Sequence, residues 1–178
     1  MAVRVCIGPQ EIAGIASGLA KGLCGLGLDA RVLLSLPHPF SYEQSVSKDW
    51  FLQVWQRLGS ARLSTSHAQL VRKIFLVATH SLWGWLILAR ALFQFDAFLF
   101  IFGQTITNSH FELWLLRRLG KRVVFIYVGS DARPPYMDGG LFPGTVKDEL
   151  PTRVLLHALT RKRKRRIQLH ERYADYLV

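Results

Sequence analysis

Val-Val-Phe-Ile-Tyr-Val-Gly-Ser-Asp-Ala-Arg-Pro-Pro-Tyr, residues 123–136, opens as an unbroken apolar run and closes as a polar turn. Such a run, β-branched and aromatic, suits a strand buried on both faces of a parallel sheet, because a half-exposed antiparallel strand would alternate. The strand stops at Gly129. Gly129 and Ser130 let the backbone turn, Asp131 and Arg133 present opposite charges, and Pro134-Pro135 blocks immediate continuation into a helix. Polar chemistry therefore sits at the carboxyl end of a buried strand, the edge of an open α/β sheet where ligands bind.

Upstream, Val3 to Ile7 reads as a first strand, followed by the loop Gly8-Pro9-Gln10-Glu11-Ile12-Ala13-Gly14. Ile12, Ile15, Ala16, Leu19, Leu23 and Leu26 then recur at helical spacing, Gly25 and Gly27 supply the stop, and Arg31 to Leu36 restores a strand. This is a βαβ opening, whose right-handed crossover makes the strands parallel and puts the Gly8 loop on the carboxyl edge. The spacing of Gly8 and Gly14 matches neither a dinucleotide fingerprint nor a P-loop. Two roles stay open for it: glycines that allow a tight turn and close helix approach, or helix-start amides that face a ligand's oxygen atoms.

Pro37-His38-Pro39-Phe40 leaves the second strand on the same edge, with His38 either touching substrate or simply exposed. Residues 50–58 and 67–95 read as helical, joined near Gly59-Ser60. Residues 96–102 form another apolar strand, ended by Gly103-Gln104-Thr105; Ser109 and Glu112 have capping-box spacing for a helix that closes at Gly120. A last helix begins between Thr145 and Thr152, with Pro151 in its first turn, and runs to about Tyr173 before Tyr176-Leu177-Val178 starts a further strand. Gly8, Gly103, Gly129 and Pro37-His38 each end a strand, so a parallel sheet brings four loops to one rim.

With 178 residues, half of them apolar, the chain suits one domain spanning residues 1–178. Much of its net charge of +11 comes from Arg161-Lys162-Arg163-Lys164-Arg165-Arg166. Cys6 and Cys24 belong to no metal motif or disulfide framework, and no secretory signal is present at the N-terminus, so a reducing, cytoplasmic setting is expected. Residues 74–89 carry no formal charge but fall short of the ~20 residues of a spanning helix. A core helix and a monotopic membrane contact both fit, and Trp83 and Trp85 suit either.

Four landmarks together resemble the N-terminal half of GT-B-fold glycosyltransferases, family 4-like members in particular. They are Ile-Gly-Pro-Gln-Glu-Ile-Ala-Gly with its Leu-Ala-Lys-Gly-Leu helix, Phe-Asp-Ala-Phe-Leu-Phe-Ile-Phe-Gly, Leu-Gly-Lys-Arg-Val-Val-Phe-Ile-Tyr-Val-Gly-Ser-Asp-Ala-Arg, and the closing Glu-Arg-Tyr-Ala-Asp-Tyr-Leu-Val. The resemblance implies a Rossmann-like, predominantly parallel sheet flanked by helices, forming the acceptor side of a two-domain cleft. It implies sugar transfer from a nucleotide-sugar, as co-substrate and without a further cofactor or metal, to a glycan or lipid-linked acceptor hydroxyl. By position Gly8, Gln10 and Gly14 would line the cleft near the donor phosphates, with His38 and Gly103 on the same rim. Gly129, Ser130 and Arg133 would line the acceptor side, and Asp131 would orient the acceptor hydroxyl or accept its proton. The alternative for Asp131 and Arg133 is a local ion pair or turn cap. The histidine often found beside the Gly-Ser-Asp turn is replaced by Tyr127 and Val128, and the donor-binding second domain is expected beyond Val178.

The basic run offers a solvated helix face, or a peripheral contact with anionic lipid at the inner membrane face through Arg161, Lys162, Arg163, Lys164, Arg165 and Arg166. No stacking aromatics alternate with it, so nucleic acid is not an expected partner. The reading from another functional class is a non-catalytic Rossmann-like module that binds a nucleotide or an anionic surface.

Overall fold

The computed structural model describes residues 2–37, 49–66, 68–134 and 150–178, without the side chains of residues 110, 150–153 and 155. The chain runs β1 (Arg4–Gly8), α1 (Ile15–Gly25), β2 (Asp29–Val32), α2 (Trp50–Ser64), α3 (Leu70–Gln94), β3 (Ala97–Ile101), α4 (His110–Arg118), β4 (Arg122–Ile126), α5 (Leu150–Tyr173) and β5 (Tyr176–Leu177). All five strands are parallel, in the order β2-β1-β3-β4-β5. This is the Rossmann-like α/β architecture that the continuous apolar runs require, since a parallel sheet is covered on both faces.

Strand alternation sorts the core into two layers. Cys6, Phe98, Phe100, Val123 and Phe125 pack with Trp55 of α2, Ile87, Leu88 and Ala91 of α3, and Leu113 and Leu116 of α4; Tyr173 at the end of α5 joins them. Val5, Ile7 and Ile101 face the other way, onto Ala16 and Ala20 of α1. Right-handed crossovers explain the division, because β1 to β2 steps one way along the sheet and every later connection steps the other. At the centre of the larger layer Phe125 is fully buried, 5.3 Å from Phe100 and stacked 3.7 Å from His170.

One expected break is absent. Instead of stopping near Gly59-Ser60, α2 continues to Ser64. Gly59 is a packing residue: a Cβ there would meet the Ser35 carbonyl oxygen at 2.7 Å and Leu36 Cδ2 at 2.9 Å. The missing side chain is what lets α2 lie against the end of β2. That strand, Asp29–Val32, also begins and ends earlier than the apolar pattern of residues 31–36 indicates.

Candidate functional site

The strand order places the topological switch point between β1 and β3. From β1 the chain leaves toward β2, and from β3 it leaves toward β4, so a crevice opens between their carboxyl ends. The Gly8 and Gly103 loops border it, as the rim of four loops requires. His38 lies outside the described residues.

Around Gly8 the structure favours the steric role. A Cβ on Gly8 would lie 2.0 Å from the Leu33 carbonyl oxygen, so only glycine fits beside the end of β2. The helix-start amides expected to face a ligand are already engaged. Glu11 Oε1 accepts from the Ala16 N–H at 3.0 Å, Oε2 accepts from the Ser17 N–H at 3.0 Å and from Ser17 Oγ at 2.6 Å, and the Ile15 N–H donates to the Ile12 carbonyl at 2.9 Å. A carboxylate at a helix N-terminus satisfies both the orphan donors and the macrodipole. The start of α1 is thus an anion site filled by the chain's own Glu11, and Gly14 serves as its left-handed N-cap. Gln10 instead lines a separate cleft of about 670 Å³, with Pro9, Leu36, Pro37 and Leu63.

The turn after β4 is built from inside. Asp131 is 2 % exposed, and its Oδ1 accepts the Val128 N–H at 2.9 Å. Among the described residues it makes no ion pair with Arg133, so of the two local roles the turn cap is the one observed. Its Oδ2 is buried and has no partner among the described residues. Two arginines one turn apart on α5 clamp the main chain of this loop. Arg163 Nη1 donates to the Ser130 carbonyl at 2.7 Å and also to the Arg133 carbonyl, while Arg166 Nη2 donates to the Asp131 carbonyl at 2.9 Å. The Arg166 guanidinium also lies against Gly103, where an added Cβ would approach it to 3.3 Å. Burial lowers the pKa of Arg166, opposed by the nearby Tyr127 and Asp131. Gly129 and Ser130 are half-buried and Arg133 is exposed, its guanidinium folded back over Gly129.

Between the loop after β3, α4 and α5 lies a cleft of about 900 Å³. Gly103, Gln104, Thr105, Asn108 and Ser109 form its floor; Arg62 from the last turn of α2 and Arg161, Lys162, Arg163, Arg165 and Arg166 from α5 add positive charge. No Asp or Glu is among its described lining residues. The floor loop is held by a second internal carboxylate, Glu112, which is fully buried and accepts the N–H groups of Ile106 at 3.0 Å and Thr107 at 2.8 Å, and Thr107 Oγ1 at 2.7 Å. Burial raises the Glu112 pKa, opposed by these hydrogen bonds. Ser109 caps α4 as its spacing indicates, accepting the Phe111 N–H at 3.2 Å, but Glu112 reaches past the capping-box position to the loop before it.

His170 closes one wall, with Nδ1 2.7 Å from the Tyr127 hydroxyl. Burial pushes the Tyr127 pKa up to about 12, so the phenol stays protonated at neutral pH. The cleft gathers Gly103 and five members of the basic run, Arg161, Lys162, Arg163, Arg165 and Arg166, but not Gln10 or Gly14. Sequence reasoning passed over Arg62, Thr105 and Asn108. The polar stretch between β3 and α4 was a usable signal for the last two, whereas Arg62 comes from a remote helix. Among the described residues no cluster of His, Cys, Asp or Glu has the arrangement of a metal centre.

No protein-family profile, no curated protein and no solved structure matches this chain.

Proposed function

We propose that this chain is the acceptor-side half of a glycosyltransferase assembled from two facing Rossmann-like domains, and that its acceptor carries a phosphate. The basic cleft at the carboxyl end of β3, with no Asp or Glu among its described lining residues, supports this reading above all else. Clustered Arg and Lys around Thr, Ser and Asn side chains suit a phosphate or diphosphate: the cations supply attraction and the neutral groups supply oriented donors. A sugar joined to a lipid through phosphate has this chemistry. In the reaction the acceptor hydroxyl oxygen bonds to the donor's anomeric carbon, the nucleoside diphosphate leaves with the electron pair, and the hydroxyl proton passes to a base.

The cations and neutral polar groups of the described lining support a binding and orienting role for this half. Asp131 positions the loop through its turn cap, and contact with an acceptor hydroxyl would require that loop to open. The donor nucleotide falls to the other half of the cleft, since Glu11 already occupies the α1 amides. Titration with phosphate-linked sugars and with nucleotide-sugars tests the division: the first bind this chain and the second do not. The rival reading, a non-catalytic nucleotide-binding module, predicts the reverse.

A further inference from the structure

Helix α3 is 25 residues long, and only one of its faces belongs to the core. Gly84, Ile87, Leu88 and Ala91 are buried against Trp55 and the sheet. Opposite them Val71, Phe75, Leu82, Leu86 and Phe93 recur at alternating spacings of four and seven residues, which is one stripe of a 3.6-residue helix. They are 83, 65, 64, 44 and 85 % exposed. The stripe widens at its side through Trp85, whose ring lies 5.9 Å from that of Phe111, which in turn stacks 5.0 Å from Trp114 on α4. A water-facing apolar band of this extent along a helix of about 37 Å is a contact surface.

Charge identifies what it contacts. From Trp50 to Gln94 the sequence contains Arg57, Arg62, Arg72, Lys73 and Arg90 and no Asp or Glu. Arg72 and Arg90 occupy the same position on the helical wheel, along one margin of the stripe, with Arg90 paired to Asp49 at 2.7 Å. On the other margin Arg118 follows exposed Trp114 by one turn of α4. Apolar centre, aromatic shoulders and a rim with an excess of cations are the complement of an anionic bilayer: acyl chains below, negative headgroups around. A second copy of this chain would bring cationic rim against cationic rim. Although α3 is long and apolar enough to cross a bilayer, spanning would pull Ile87, Leu88 and Ala91 out of the core that holds β1, β3 and β4.

We infer that this protein docks on anionic phospholipid bilayers through the exposed face of α3, with the helix lying in the plane of the interface and Trp85, Phe111 and Trp114 at headgroup depth. This moves the membrane contact away from the basic run of α5, whose Arg163 and Arg166 are committed to the β4 loop. It holds whatever ligand the rim cleft takes.

Sedimentation of the full chain with vesicles of equal phosphatidylglycerol and phosphatidylcholine, against phosphatidylcholine alone, tests it. Binding to the anionic vesicles that 0.5 M salt weakens but does not abolish is expected. The triple variant F75Q/L82Q/L86Q, changed only at exposed positions, should bind at least tenfold more weakly. Tryptophan quenching by brominated lipid in the wild-type chain reports depth independently of any variant. Unchanged vesicle binding by the triple variant, no quenching by brominated lipid, or a wild-type dimer that the triple variant dissolves while neither form binds vesicles would each overturn the inference.

Discussion

Arg166 Nη2 lies 2.9 Å from the carbonyl oxygen of Asp131, and the same guanidinium rests on Gly103. One side chain of α5 thereby ties the carboxyl ends of β3 and β4 together and fixes the wall between turn and cleft. Arg166→Ala leaves the Asp131 carbonyl without its donor and opens a void beside Tyr127. A loss of about 2 kcal/mol is expected in urea unfolding, with Arg166→Lys recovering part of it. Arg161→Ala, on the exposed side of the same helix, should change stability by less than about 0.5 kcal/mol.

The loop floor depends on Glu112 in the same way. Glu112→Gln keeps the volume but turns one acceptor into a donor facing the N–H groups of Ile106 and Thr107. The expected cost is about 2 kcal/mol, read as a lower urea midpoint with an unchanged denaturant slope.

His80 gives the fold a pH dependence on the acid side of neutrality. Its ring stacks 5.7 Å from Trp55, its Nε2 is buried with no partner among the described residues, and burial, reinforced by Arg62, lowers its pKa to about 4. An unfolded histidine titrates near ~6.5. Between these values the unfolded chain takes up a proton that the folded chain refuses, so this contribution to stability is complete above about pH 6.5 and is lost as the pH falls toward 4. Urea midpoints measured from pH 7.5 to 4.5 should fall in that window. In His80→Gln they should fall less steeply.

The strands were legible because burial on both faces writes continuous apolar runs, and 123–126 and 97–101 fall where those runs lie. Helix α2 was misjudged at Gly59 because a glycine that breaks a helix and one that admits a neighbouring backbone look alike until the neighbour is placed. The α1 start was open to two readings for a related reason: Glu11 reads as an ordinary loop acid, and only the fold brings its carboxylate onto the Ala16 and Ser17 amides. Asp131 and Arg133 stand out as opposite charges in a turn, yet one is buried beneath the loop and the other lies on its surface. The run from Arg161 to Arg166 reads as a single block of charge, and helical geometry divides it. All but Lys164 border a cleft completed by Arg62 from about a hundred residues earlier, but only Arg163 and Arg166 also hold the carbonyls of the β4 loop.

That division separates binding from stability. Arg161→Ala/Lys162→Ala/Arg165→Ala should leave the unfolding midpoint nearly unchanged and weaken binding of a phosphate-linked sugar by tenfold or more, since each cation contributes on the order of 1 kcal/mol through a partly screened contact. The residual affinity should depend less on salt than that of the parent chain.

The central claim is that the rim cleft holds a phosphate-bearing acceptor and leaves the nucleotide-sugar to another domain. Calorimetric titration of the chain with polyprenyl-phosphate-linked sugars in detergent, and in parallel with a panel of nucleotide-sugars, addresses it most directly. Saturable binding of a phosphate-linked sugar that disappears in the triple cleft variant, with no nucleotide-sugar bound, is the predicted result. Saturable binding of a nucleotide-sugar, with the phosphate-linked sugars inert, would contradict it.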